Sequence, residues 1–254
     1  VVRDLEHIKE RLFNRQNMVF NVTADAETWK RAQPILDALV HKLPSRPLHP
    51  AKWLVECQIG DEGVKIPAQV NYVGKAVDLY TQGYSFHPSS LVVARYLRMS
   101  WLWDKIRVQG GAYGAFSLLD RVSGVLSFLS YRDPNITNTL QVFDDTADYL
   151  TRASLAAAEV EKAVIGTIGD MDAYSLPDAK GFTSMLWYLT GETDIKRQQR
   201  REAILSTTAE DFQAFGQWLR ELSTHGHVVV MGDEAALEQA VDTGLKLDHV
   251  WQAL

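Results

Sequence analysis

The 254-residue sequence has a single cysteine, Cys57, which excludes an internal disulfide and gives no hint of an oxidising compartment. No run approaches the ~18 apolar residues needed to span a bilayer, so no membrane partner is expected. A basic surplus is missing too. Against 26 Lys and Arg stand 32 Asp and Glu, and the net charge of −6 argues against nucleic acid, whose phosphates are bound by clustered cations. The start, Val1-Val2-Arg3-Asp4-Leu5-Glu6, is neither basic nor continuously apolar, unlike a secretory signal. The missing initiator Met suggests a piece of a longer chain, and no internal repeat or low-complexity tract is found.

Several chemical patterns are missing as well. Of the seven histidines, no two stand at a helical i, i+4 spacing. Glu6-His7 is the tail of an H-x-x-E-H pattern whose first position is Arg3, which cannot hold a metal. His225 and His227 read as one face of a strand and could pair on a metal, but no third ligand follows at a recognisable spacing. No metal site is expected in this chain. There is no G-x-S-x-G elbow, and Cys57 has no marked partner for nucleophilic chemistry. Asp144, Asp145 and Asp148 share a helix near Asp133 without an evident partner base, and Lys196 to Arg201 reads as a solvated helix face.

What is present is a core-forming chain, 46% apolar. Periodicity predicts helices over 1–16, 26–42, 136–153 and 157–168, with Gly166 and Gly169 weakening the end of the last. In the second of these Trp29, Ala32, Leu36, Leu39 and Leu43 face inward, and Pro34 kinks the helix or marks its true start. The fourth-position stripe Leu140, Phe143, Ala147 and Leu150 marks the third. Strands are expected at Met18 to Ala24, and at Trp53 to Ile59 and Val64 to Val73 joined by the turn Gly60 to Gly63. A hairpin follows at Ala112 to Leu118 and Ser123 to Tyr131, and Val228 to Gly232 reads as a strand of buried type. Leu176 to Gly181 reads as a turn-rich connection into Phe182 to Leu189. Thr207 or Thr208 caps a helix carrying Phe212 and Phe215, and a closing helix spans Ala235 to Val241. The expected class is α+β, a mostly antiparallel sheet with helices packed on one face. Residues 1–24 read as the end of a preceding segment plus a first strand. Residues 25–254 read as one domain, with a proline-rich connection over 43–51.

The chain is organised around Arg107-Val108-Gln109-Gly110-Gly111-Ala112-Tyr113-Gly114. A long apolar helix from Ser89 to Ile106 precedes it and the hairpin follows. This order excludes a phosphate-binding loop, in which a strand leads through glycines into a helix N-terminus. Gly110 and Gly111 permit backbone conformations and close approaches that a Cβ forbids. A helix turning straight into a strand here holds Arg107 and Tyr113 on either side of one elbow, a cation and a phenol donor suited to a carbonyl or carboxylate oxygen. Spacing alone favours the plainer reading, a tight turn with Arg107 capping the helix C-terminus.

The elbow block and Ser130-Tyr131-Arg132-Asp133-Pro134-Asn135 resemble the last domain of the presequence proteases, which are pitrilysin-type, inverted-motif zinc metallopeptidases. Gln69 to Gly74, Ile165 to Asp170 and Pro177 to Gly181 resemble the same family in order and spacing, as does the chain from Asn14-Arg15-Gln16-Asn17 to about Phe212. The resemblance implies four related α+β domains in two halves, hinged around a closed chamber that degrades unfolded peptides. It implies zinc in the full-length enzyme, held by the N-terminal catalytic half through H-x-x-E-H and a later Glu, and none bound by this chain. It implies that Arg107 and Tyr113 reach the substrate, with Gly110 and Gly111 beside it, and hold the peptide backbone and developing oxyanion while zinc-activated water attacks. The isolated chain is then inactive. The expected compartment is the cytoplasm of a bacterium, or the mitochondrial or plastid matrix of a eukaryote. The alternative is a catalytically inactive subunit of the same fold, structural or peptide-binding.

Overall fold

The computed structural model describes residues 1–48 and 60–253. The expected strand Trp53–Ile59, with Cys57 and His49, lies outside them. In chain order the elements are α1 (Val2–Leu12), α2 (Ala26–Lys42), β1 (Glu62–Lys65), β2 (Tyr72–Asp78), α3 (Ser89–Met99), β3 (Gly114–Leu119), β4 (Val125–Tyr131) and α4 (Thr137–Arg152). Then come α5 (Ala157–Met171), α6 (Pro177–Thr190), α7 (Asp194–Leu205), α8 (Ala209–Trp218), α9 (Arg220–His225), β5 (His227–Gly232), α10 (Glu234–Asp242) and β6 (His249–Gln252). Contacts divide them into two compact units, one holding α1, α2 and α6, the other the sheet and the remaining helices.

In the first unit Asn14 is the anchor. Its side-chain oxygen accepts from the Arg46 amide at 3.1 Å and its Nδ2 donates to the Arg46 carbonyl at 3.0 Å. The Arg15 amide donates to the Pro44 carbonyl, so the segment after α1 is stitched to the segment after α2. Asp25 caps α2 by accepting from the Thr28 amide. Pro34 sits inside this helix and does not start it, and none of the residues expected to face inward is buried. Met18 to Ala24 forms no strand, because among the described residues its half-exposed apolar side chains meet no neighbouring strand to complete a ladder. The connection Leu176 to Gly181 is likewise corrected: α6 begins at Pro177, whose fixed φ and missing N–H suit a first helical position.

The second unit carries the apolar core. Among the described residues its sheet has six strands, in the order β3-β4-β2-β5-β1-β6. The pairs β3–β4, β4–β2 and β2–β5 are antiparallel, while β1 runs parallel to both β5 and β6. The α+β class with a mainly antiparallel sheet is therefore observed, and β1 supplies the parallel part. Val64–Val73 is not one strand. Pro67, which lacks an amide to donate, lies between β1 and β2, and the chain comes back with β5 inserted between them. The β3–β4 hairpin is where alternation places it. Val73 and Val77 of β2, Leu126 and Phe128 of β4, and Val228 and Val230 of β5 turn to the helix side and are buried. Leu140, Phe143, Ala147 and Leu150 of α4 are buried among the same core. On the opposite face Val229 and Met231 stay partly exposed, so β5 alternates and is not buried on both sides. The helix α5 runs through Gly166 and Gly169 to Met171, held by its buried stripe Val160, Ala163, Val164 and Thr167. Thr208 and Asp211 form a capping box at the start of α8.

Candidate functional site

After α3 the helical path is interrupted at Ser100, whose hydroxyl donates to the Tyr96 carbonyl at 2.7 Å. It resumes as a π-helical stretch, Trp103–Gln109. Such widened turns are uncommon and gather at functional sites. The side chains follow the wider pitch, since Gln109 Nε2 donates to the Asp104 carboxylate five residues earlier at 2.7 Å. The stretch ends in an αL closure with Gly111 as the left-handed residue. The Gly111 amide donates to the Arg107 carbonyl and the Ala112 amide to the Ile106 carbonyl, both at 3.1 Å. Gly111 takes φ +83°, and a Cβ on Gly110 would stand 2.6 Å from the Ile106 carbonyl oxygen. Both glycines are therefore required by the turn itself.

The turn delivers the two expected side chains to one place. Arg107 does not cap the helix; its guanidinium lies 4.0 Å from the Trp103 ring centroid and 5.9 Å from that of Tyr113. Tyr113 is 66% exposed and packs edge-on against Tyr131, which packs edge-on against Tyr72. Trp103, Arg107, Tyr113 and Tyr131, with Arg98, Met99 and Phe116, line an open cavity of about 430 Å³. Among the described residues neither Arg98 nor Arg107 has a carboxylate within ion-pair distance. The arrangement presents two cations and a phenol on aromatic walls, able to donate to an oxygen acceptor entering from solvent.

A buried strut holds the elbow from behind. Asp133 is fully buried, and its carboxylate accepts from the Thr139 hydroxyl at 2.7 Å and the Asn135 amide at 2.9 Å. Its backbone exchanges two hydrogen bonds with Asn71, whose side chain also donates to the Asp133 carbonyl. Asn135 Nδ2 then donates to the Gly110 carbonyl at 2.7 Å. The segment Ser130 to Asn135 thus grips the end of the elbow. Trp103, Arg98, Tyr131 and Asn135 were not singled out as site residues. Trp103 could have been, being four residues before Arg107 on one helix. Tyr131 and Asn135 stand in the Ser130–Asn135 block, but they and Arg98 meet the elbow across elements, so no spacing within one element assigns them to it.

The remaining candidates do not converge. Among the described residues no group of three or more His, Cys, Asp and Glu is placed to hold a metal. His225 and His227 do not share a strand face: His225 closes α9 beside Glu221, and His227 opens β5 beside Asp61. Asp144 pairs with Lys75 of β2, Asp145 accepts from Gln141 and Asp148 pairs with Arg152. Burial pushes the Asp144 carboxyl up from its ordinary value, partly offset by the Lys75 ammonium. In the basic run, Arg201 grips Asp172 through two nitrogens and holds its carboxyl below the usual range.

The family model described as the PreP C-terminal domain matches residues 61–234. Presequence protease 1, chloroplastic/mitochondrial, of Arabidopsis thaliana is 40% identical over 251 residues, covering 98% of this chain and 23% of that protein. Protein HypA of Clostridium perfringens is 28% identical over 238 residues, covering 94% of this chain and 24% of that protein. Among solved structures, a protease from Helicobacter pylori superposes with a TM-score of 0.60 at 13% identity, over 91% of this chain and 59% of that one. Pitrilysin superposes with a TM-score of 0.54 at 13% identity, over 81% and 23%. The chain spans about a quarter of the length of these two curated relatives.

Proposed function

The chain belongs to the PreP C-terminal domain family, and from that premise we propose that it is the C-terminal part of a zinc metalloendopeptidase that degrades unfolded peptides in a closed chamber. Its role there is to hold substrate. The observation that carries this reading is the meeting of Arg107 and Tyr113 at one open cavity, where among the described residues no side-chain donor of either is engaged. Stacking on Trp103 restrains the guanidinium while leaving its N–H edge available, which lowers the ordering cost of binding an oxygen. The Tyr113 hydroxyl adds a second donor at the rim. Together they can grip a peptide carbonyl and follow the negative charge that grows on its oxygen. Gly110 and Gly111 do not line the cavity; they shape the turn that presents Arg107 and Tyr113 to it.

The described residues of this chain do not fit a zinc site. In this reading the metal and the general base belong to an N-terminal catalytic half of the same polypeptide, with residues 1–24 as the end of the preceding segment. The compartment is the cytoplasm of a bacterium, or a mitochondrial or plastid matrix. Cell fractionation that recovered the protein elsewhere would count against it.

Kinetics of the longer polypeptide test the site. Arg107→Lys keeps the charge but loses the planar fork, and Tyr113→Phe keeps the ring but loses the donor. Each is expected to lower kcat, by up to about 10²–10³-fold if it acts on the oxyanion. If they only align substrate, KM rises while kcat holds. Wild-type kinetics in both variants would overturn the assignment and leave the elbow as architecture, as would a loss confined to thermal stability.

A further inference from the structure

The cavity at the elbow has a charge imbalance that gripping a carbonyl does not require. Two guanidiniums enter it, Arg98 and Arg107, and no Asp or Glu lines it. In a chain with more acids than bases this is a local arrangement, not a reflection of overall charge. Arg98 stands in the last turn of α3 and reaches the Phe116 ring of the edge strand β3, 5.5 Å from its centroid. Arg107 lies over Trp103 on the same cavity. Each cation is held on an aromatic face, with no carboxylate partner among the described residues. Arginines stacked on aromatic rings beside apolar walls, with no carboxylate partner among the described residues, are poised for an incoming anion.

We propose that this cavity is a charge-selecting side-chain subsite for the peptide, taking a carboxylate-bearing side chain and turning away Lys and Arg, with Arg98 as the specificity-determining residue. This rests on reading the domain as part of a peptidase, and it adds the chemistry of one substrate position. The aromatic and Met99 walls hold the methylenes of a Glu side chain, and its carboxylate meets one or both guanidiniums. A Lys or Arg in the same place brings a third cation beside two others next to low-dielectric walls. A neutral Gln fits sterically and falls between. Because the cavity is open, solvent screens these effects, and each step is expected to be about 3- to 10-fold.

The test uses the longer polypeptide and a peptide series in which one position at a time, scanned across the cleaved bond, is Glu, Gln or Lys. At one position kcat/KM is expected to fall in that order, by about 3- to 10-fold per step, and the spread is expected to shrink as salt is raised. Arg98→Gln is expected to collapse the Glu-to-Lys ratio at that position, whatever common change in rate accompanies it. Arg98→Lys, which keeps the charge, is expected to retain most of it. Fluorescence anisotropy with the same peptides reads the subsite even if turnover is absent, so a failure of the peptidase reading is distinguishable from a failure of this one. No charge preference at any position, or a preference unchanged in Arg98→Gln, would overturn the proposal.

Discussion

Lys75 of β2 is an enclosed charge, its side chain 8% exposed, and its partner Asp144 at 2.6 Å is 32% exposed. Neither belongs to the elbow, yet the pair joins β2 to α4 through the core. Asp144→Asn fixes the neutral form that burial favours, and is expected to change stability by no more than about 1 kcal/mol at pH 7. The pH dependence has a definite sign. Burial raises the Asp144 carboxyl above its ordinary 3.8, so the folded state binds this proton first. The stability of the wild type relative to Asp144→Asn should therefore grow as pH falls from 7 towards 3.8. Asp120 works in the opposite sense. The Val122 amide and the Ser123 hydroxyl lower its carboxyl, so its contribution is present above 3.8 and is lost as pH falls further. Urea denaturation of both proteins over a pH series checks this, and a gap that narrows on acidification would contradict it.

At the scale of elements, the elbow is a helix end whose geometry is set by backbone, and the side chains follow. Gly110→Ala places a methyl 2.6 Å from the Ile106 carbonyl oxygen, within one hydrogen-bonded turn that has little room to move. Gly111→Ala forces a Cβ onto φ +83°. Each is expected to cost about 1–3 kcal/mol of stability and to move Tyr113 relative to Arg107. Gly169 in α5 is the control, since a Cβ there meets nothing within 4 Å and its helix already runs past it. Gly169→Ala should stabilise by about 0.4–1 kcal/mol. Thermal melts of the three variants separate these outcomes, and equal shifts in all three would show that the turn imposes no special constraint.

At the scale of the whole molecule, the apolar core lies in the sheet-containing unit, while α1, α2 and α6 contribute no buried residue. The purified chain is expected to bind no stoichiometric zinc and to hydrolyse no peptide by itself, because its described residues bring no three ligands together. Metal analysis and a peptide assay check this, and one tightly held zinc per chain would sink it.

Features written locally were legible in the sequence. The Gly110-Gly111 pair, the alternation on either side of the β3–β4 turn, the stripe on α4 and the cap at Thr208 each depend on residues a few positions apart. Those contacts need no distant partner, so local residue pattern and period determine them. The failures share the opposite property. Whether Met18 to Ala24 becomes a strand depends on a neighbour to pair with, and whether the α2 stripe is buried depends on what covers it. Only the tertiary structure decided that β5 inserts between β1 and β2, some 160 residues away in the chain. The same holds for Arg98 over Phe116, Tyr113 against Tyr131, and Asn135 on the Gly110 carbonyl. Contacts between distant segments leave no period in the sequence. The core has to close before these partners meet.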